Sequence, residues 1–169
     1  MPLHDCSHIN LNEERFMKKK VLSACIALAL GGGAGYASSV LAQAKPDVLV
    51  KQRQAVMTLQ GKYFGPMAGM AQGKVPYNAA VVQRNAGFLD NLSRMPWDGF
   101  DPSTKGEKSR ALPAVFDDKA KFDEAATRLE NEASKLASLS RSGDEAAVKA
   151  QIGVVGKTCG ACHESFRAK

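Results

Sequence analysis

The 169-residue chain is poor in the side chains that bind metals through sulfur or nitrogen, with four cysteines and three histidines. Its charges, 23 basic against 17 acidic, are scattered rather than clustered, which argues against a nucleic-acid-binding face. No segment alternates as a half-buried strand does, and no internal repeat or low-complexity tract breaks the chain. The longest apolar stretch, Val21 to Leu30, is too short and too closely followed by glycine to span a bilayer.

That stretch reads instead as part of an export signal. Lys18-Lys19-Lys20 supplies the basic lead, Gly31 to Ser39 is rich in small residues, and Ala42-Gln43-Ala44 offers an A-x-A cleavage site. Cleavage is expected after Ala42 or Ala44; a retained membrane anchor is the alternative. Asp5, Glu13 and Glu14 make residues 1–16 an unusual preface to such a signal. Synthesis is therefore expected to begin at Met17, with residues 1–16 an upstream misreading, 17–44 the signal peptide and 45–169 the folded domain. The product is expected in the periplasm, free of the membrane.

Removing the leader simplifies the chemistry. Cys6, Cys25, His4 and His8 go, and only Cys159, Cys162 and His163 stay. About 125 residues remain, enough for one domain with a core. No disulfide framework and no four-ligand Cys/His zinc site can be assembled from them. Those three residues form the run Cys159-Gly160-Ala161-Cys162-His163, the spacing at which a c-type haem is attached. Two thiols one helical turn apart can each add to a vinyl group of one porphyrin, while the adjacent imidazole faces its iron. A thiol redox pair would need a strand leading into a helix N-terminus, and none is evident here.

Four helices are expected. The first starts at Lys45-Pro46-Asp47, with proline suited to the first helical position, and carries Leu49, Val56, Leu59, Tyr63, Met67 and Met70. Gly65-Pro66 is expected to kink or end it. The second runs from Asn78 to about Arg94, with Val82, Ala86, Leu89 and Leu92 on one face. A long link, Trp97 to Val115, either crosses a bundle end or covers a cofactor edge. In the third, Phe122, Ala126, Leu129, Ala133 and Leu136 step by four and three between Asp117-Asp118 and Ser142-Gly143. Asp144 caps the fourth, where Val148, Ile152, Val155, Cys159, Cys162 and Phe166 continue that stepping. The fold class is all-α, an antiparallel four-helix bundle with the cysteines on its inner seam and a covalently bound haem c.

Around His163, Arg167 lies one turn further on. It serves either a group bound beside the iron, a haem propionate, or only the helix dipole. A bis-histidine haem is excluded, leaving Met57, Met67, Met70 or Met95 as possible second axial ligands.

The pattern Cys-x-x-Cys-His-x-x-Phe-Arg at residues 159–167 resembles cytochrome c′, the class II cytochromes c. Lys45-Pro46-Asp47 with Arg53 to Met57, Gly73 to Tyr77, and Met95 to Phe100 are similar to other parts of that family, so the resemblance spans residues 45–169. It implies one haem c per chain, with Cys159 and Cys162 as thioether carriers and His163 as axial ligand. Arg167 becomes the proximal basic residue, Arg53 and Gln54 contact the propionates or haem edge, and Met57 stands over the distal face. It further implies a homodimer through the first two helices and a high-spin five-coordinate iron that binds nitric oxide and carbon monoxide or passes electrons to an unnamed redox partner.

Met57 has three roles open to it: sixth ligand of a low-spin electron carrier, filler of an open pocket lined also by Val56 and Leu59, or a core residue away from the haem. An enzyme such as a nitric oxide reductase or peroxidase would need a distal base, and none is evident. Trp97 is expected against the haem or at the bundle end.

Overall fold

Pro46 and Asp47 open the first long helix as expected, for a proline at the first helical position forfeits only a donor that would be unpaired anyway. The computed structural model describes residues 44–169, and the leader reading up to residue 43 lies outside them. Helix α1 spans Pro46–Ala71, α2 Ala79–Ser93, α3 Lys119–Leu139 and α4 Glu145–Phe166. A single helical turn, Ala114–Asp117, precedes α3. The only β-type pairing among the described residues is one isolated antiparallel bridge, Ala111 with Arg167.

The expectation that Gly65-Pro66 ends the helix needs correction, because α1 continues as helix through both residues. Met67 beyond the proline is fully buried and Met70 nearly so, and this burial offsets the lost backbone hydrogen bond. The helix ends one turn later at Gly73, where φ is +71°. There Lys74 N–H donates to Gly69 O at 2.9 Å and Gly73 N–H to Met70 O at 3.1 Å, the paired bonds of a Schellman stop.

Helix α2 is capped by Asn78, whose side chain accepts from Val81 N–H at 3.0 Å, and Asp144 does the same for α4 with Ala147 N–H. Asp118 precedes α3 but leaves its cap open and pairs with Lys121 instead. The stepped apolar positions fall inside as expected. Val82, Ala86, Leu89, Ala133, Leu136, Val148, Ile152 and Val155 form one continuous core with Met67 and Met70. Adjacent helices pack in a ring, α1 on α2, α2 on α3, α3 on α4 and α4 on α1, giving the four-helix bundle. Leu59 departs from the expected inner face and is 39% exposed.

The link after α2 is not structureless. It makes two short 3₁₀ turns, Asp98–Phe100 and Pro102–Thr104, and runs on to the end of α4. There Leu112 N–H donates to Phe166 O and Ala168 N–H to Arg110 O, at 2.9 and 2.8 Å. Its other anchor is Arg53 of α1, only 3% exposed. The Arg53 guanidinium donates to Gly99 O, to Thr104 Oγ1 at 3.0 Å and to Ser109 Oγ at 3.0 Å, and lies 4.4 Å over the Phe100 ring. A second apolar cluster sits beneath this loop, built on Val115, Phe122 and Phe166 with Trp97 and Phe100 against it. Trp97 thus occupies the bundle end. Its ring centroid is 5.9 Å from that of Phe122, and its buried Nε1–H finds no acceptor among the described residues.

Two stability effects follow from these contacts. A Cβ at Gly99 would stand 2.7 Å from Arg53 Cβ and 3.0 Å from Leu49 O. Gly99→Ala is therefore expected to cost about 1–3 kcal/mol, read as a lowered urea midpoint. Asp144→Ala removes a cap and should cost about 1 kcal/mol by the same measurement.

Candidate haem-binding site

The stepping that buries Val155 continues along α4 to Cys159, Cys162 and Phe166, but there the opposing bundle surface draws back. An open cavity of about 650 Å³ takes its place, bounded by α1, α4 and the loop. Cys159 and Cys162 lie one turn apart on this wall, both half-buried and both free thiols. His163 follows about 100° further round the helix. Its imidazole lines the cavity yet keeps an exposed outer edge.

Seven residues expected at the site border this one cavity, Arg53, Gln54, Met57, Cys159, Cys162, His163 and Arg167, whereas Met67, Met70 and Met95, the other candidate second ligands, do not. Arg53, Met57 and Phe64 share one stripe of α1, spaced by four and seven, so the helix period itself aims them together. Val56 and Leu59, expected as neighbours of Met57 on the wall, lie off that stripe and are not among the residues bounding the cavity; Gly61, Phe64 and Leu89 stand there instead. Phe64 reaches α4 closely, its Cζ 3.2 Å from where a Cβ on Gly156 would be. The loop adds Phe100, Ser109, Arg110 and Ala111. These four were not legible as site residues, because the loop reaches the cavity only through its anchors at Arg53 and the end of α4.

Burial pushes the Cys159 thiol up to about 11, with the neighbouring Cys162 adding to the shift, and burial raises Cys162 as well. A thiol redox pair needs the reverse, a depressed pKa that supplies thiolate at neutral pH. The His163 imidazole is held below its usual range, first by desolvation and then by the guanidiniums of Arg167 and Arg110. It is thus neutral at pH 7, with a ring nitrogen lone pair able to coordinate a metal.

The donor set suits a porphyrin better than a bare ion. Among the described residues, no three His, Cys, Asp or Glu side chains gather to hold a metal. The walls are mainly apolar, as a flat macrocycle requires. At the rim, Arg53 is a buried cation whose partners are neutral oxygens and no carboxylate, which suits an anionic propionate nearby. Burial lowers its pKa, although a guanidinium stays charged at neutral pH.

Comparison with known proteins agrees. A family profile described as Cytochrome C′ matches residues 48–167. Cytochrome c′ of Rubrivivax gelatinosus is 39% identical over 126 residues, covering 74% of this chain and 98% of that protein. Cytochrome c′ of Alcaligenes xylosoxydans xylosoxydans is 36% identical, over 75% and 98%. The crystal structure of the Rubrivivax gelatinosus protein superposes with a TM-score of 0.70 at 38% identity, covering 73% of this chain and 98% of its own. A nitric oxide complex of a variant cytochrome c prime from Alcaligenes xylosoxidans superposes at 0.69 with 36% identity, over 75% and 98%. The chain belongs to the cytochrome c′ family, four-helix-bundle proteins carrying covalently attached haem c.

Proposed function

We propose that this protein is a periplasmic mono-haem cytochrome whose iron is held by His163 on one side and left open on the Met57 side, where it takes up nitric oxide or carbon monoxide. Cys159 and Cys162 carry the thioether bonds, Arg53 and Gln54 stand at the propionate edge, and Arg167 is the basic residue beside His163. The haem supplies reversible one-electron chemistry and an open coordination position. The chain supplies the axial nitrogen, the enclosure and the surrounding charge.

One observation carries the choice of nitric oxide or carbon monoxide over dioxygen. The polar donors that α1 brings toward the cavity are nearly all committed elsewhere. Thr58 Oγ1 donates to Gln54 O at 2.8 Å, Gln60 Nε2 to Leu92 O at 2.9 Å, and Arg53 to the loop. What remains around Met57 is Gly61, Phe64 and Leu89. Dioxygen bound to haem depends strongly on a distal donor, whereas carbon monoxide and nitric oxide depend on it less. The nitric oxide complex known for the Alcaligenes xylosoxidans relative accords with this selection. Among the described residues no Asp or Glu borders the cavity to serve as a carboxylate base; ligand binding and electron exchange with a redox partner fit it better than an enzymatic role.

Two further parts of the reading rest on sequence and surface. Export follows from the leader pattern, and no helix among the described residues is long and apolar enough to cross a membrane. A homodimer through α1 and α2 fits their outer face, where Leu59 and Phe88 are exposed and the Tyr63 and Phe88 rings meet at 4.7 Å.

The optical spectrum of the holoprotein tests the iron site. The ferrous form should be high-spin, with a Soret band that moves on adding carbon monoxide. Met57→Ala should widen the pocket and speed carbon monoxide binding by on the order of tenfold with the spin state unchanged. A low-spin ferrous spectrum that turns high-spin only in Met57→Ala would show instead that the thioether is the sixth ligand. Attachment is checked by mass: Cys159→Ala and Cys162→Ala should each leave haem held by a single thioether, and the double variant should release it to acidified organic solvent.

A further inference from the structure

The loop brings to this cavity one charged residue outside the attachment motif, Arg110. Its place is fixed by the main chain. Ala111 lies opposite Arg167 in the antiparallel bridge, Ala168 N–H donates to Arg110 O at 2.8 Å, and Leu112 N–H donates to Phe166 O at 2.9 Å. The residue numbered 110 is thereby tied to the turn of α4 that follows His163. Both Arg110 and Arg167 border the cavity beside that imidazole, and neither makes an ion pair with a carboxylate among the described residues.

We propose that Arg110 is a second cationic residue of the iron site, held beside His163 by the loop-to-helix bridge, and that with Arg167 it biases the haem toward its reduced state. The physical reason is charge balance. Ferric haem carries one more positive charge than ferrous haem, so a nearby fixed cation disfavours the oxidised form. Arg110 is exposed, unlike the half-buried Arg167, so salt should screen its influence more strongly. The structural service of residue 110 is performed by its carbonyl, which any side chain leaves in place.

The inference rests on His163 holding the iron, and the test separates the two. Parent protein and the variants Arg110→Lys, Arg110→Gln and Arg110→Glu are matured with haem, and covalent attachment is read first from colour and mass. A colourless parent sinks the site reading and this inference with it. With colour present, the ferrous-to-ferric ratio is measured optically at fixed electrode potential in about 10 mM and 1 M salt. Arg110→Lys should match the parent. Arg110→Gln and Arg110→Glu should lower the ratio in steps, on the order of threefold per unit of charge in low salt. The difference should shrink toward nothing in high salt. Coloured Arg110→Gln and Arg110→Glu proteins with the parent's ratio in low salt would overturn the proposal, as would an equal loss in Arg110→Lys, which keeps the charge.

Discussion

The inner stripe of α4 has to satisfy two partners at once. Over its first turns Val148, Ile152 and Val155 fill the bundle core; over its last turns the same stripe becomes the wall that bears Cys159, Cys162 and Phe166. A slip of the helix about its axis would spoil both functions together. Core packing therefore sets the orientation of Cys159 and Cys162 to the accuracy of side-chain interdigitation, and the loop bridge at Phe166 to Ala168 pins the helix end beyond them. This is a reason a cofactor can be placed at the end of a helix, where backbone alone would fray.

The far wall depends on a different kind of contact. Arg53 is a charged residue sunk into the fold to hold a loop, through three neutral oxygen acceptors and an aromatic face. Such a guanidinium is costly to desolvate, and its retention is best understood through what it organises. It closes the link against α1, so that Phe100 and Ser109 stand beside the cavity, and it presents a positive charge where the macrocycle's carboxylates are expected. One side chain thus joins the loop's architecture to the charge at the cavity edge.

Much of this was readable from the chain. The four-and-three stepping of α3 and α4 located core positions residue by residue, because each apolar side chain there meets a neighbouring helix. The five-residue run at 159–163 pointed to the far end of α4, and the cavity opens there. The misreadings have equally physical sources. An end at Pro66 follows only for an isolated helix, where the missing donor dominates; here Met67 and Met70 bury enough surface to carry α1 past it. Hydrophobicity alone puts Leu59 inside, whereas the register of α1 turns it outward. Ser109 and Arg110 leave no local signal, because their placement depends on a tertiary anchor 56 positions away at Arg53 and on a main-chain bridge to the end of α4.

The bridge between the loop and the end of α4 is made wholly of peptide groups. Architecture and electric field are thereby uncoupled at that spot. The side chain at position 110 can change sign or vanish while the backbone around it holds its path, so a lineage could retune the metal's affinity for electrons there without redesigning the scaffold.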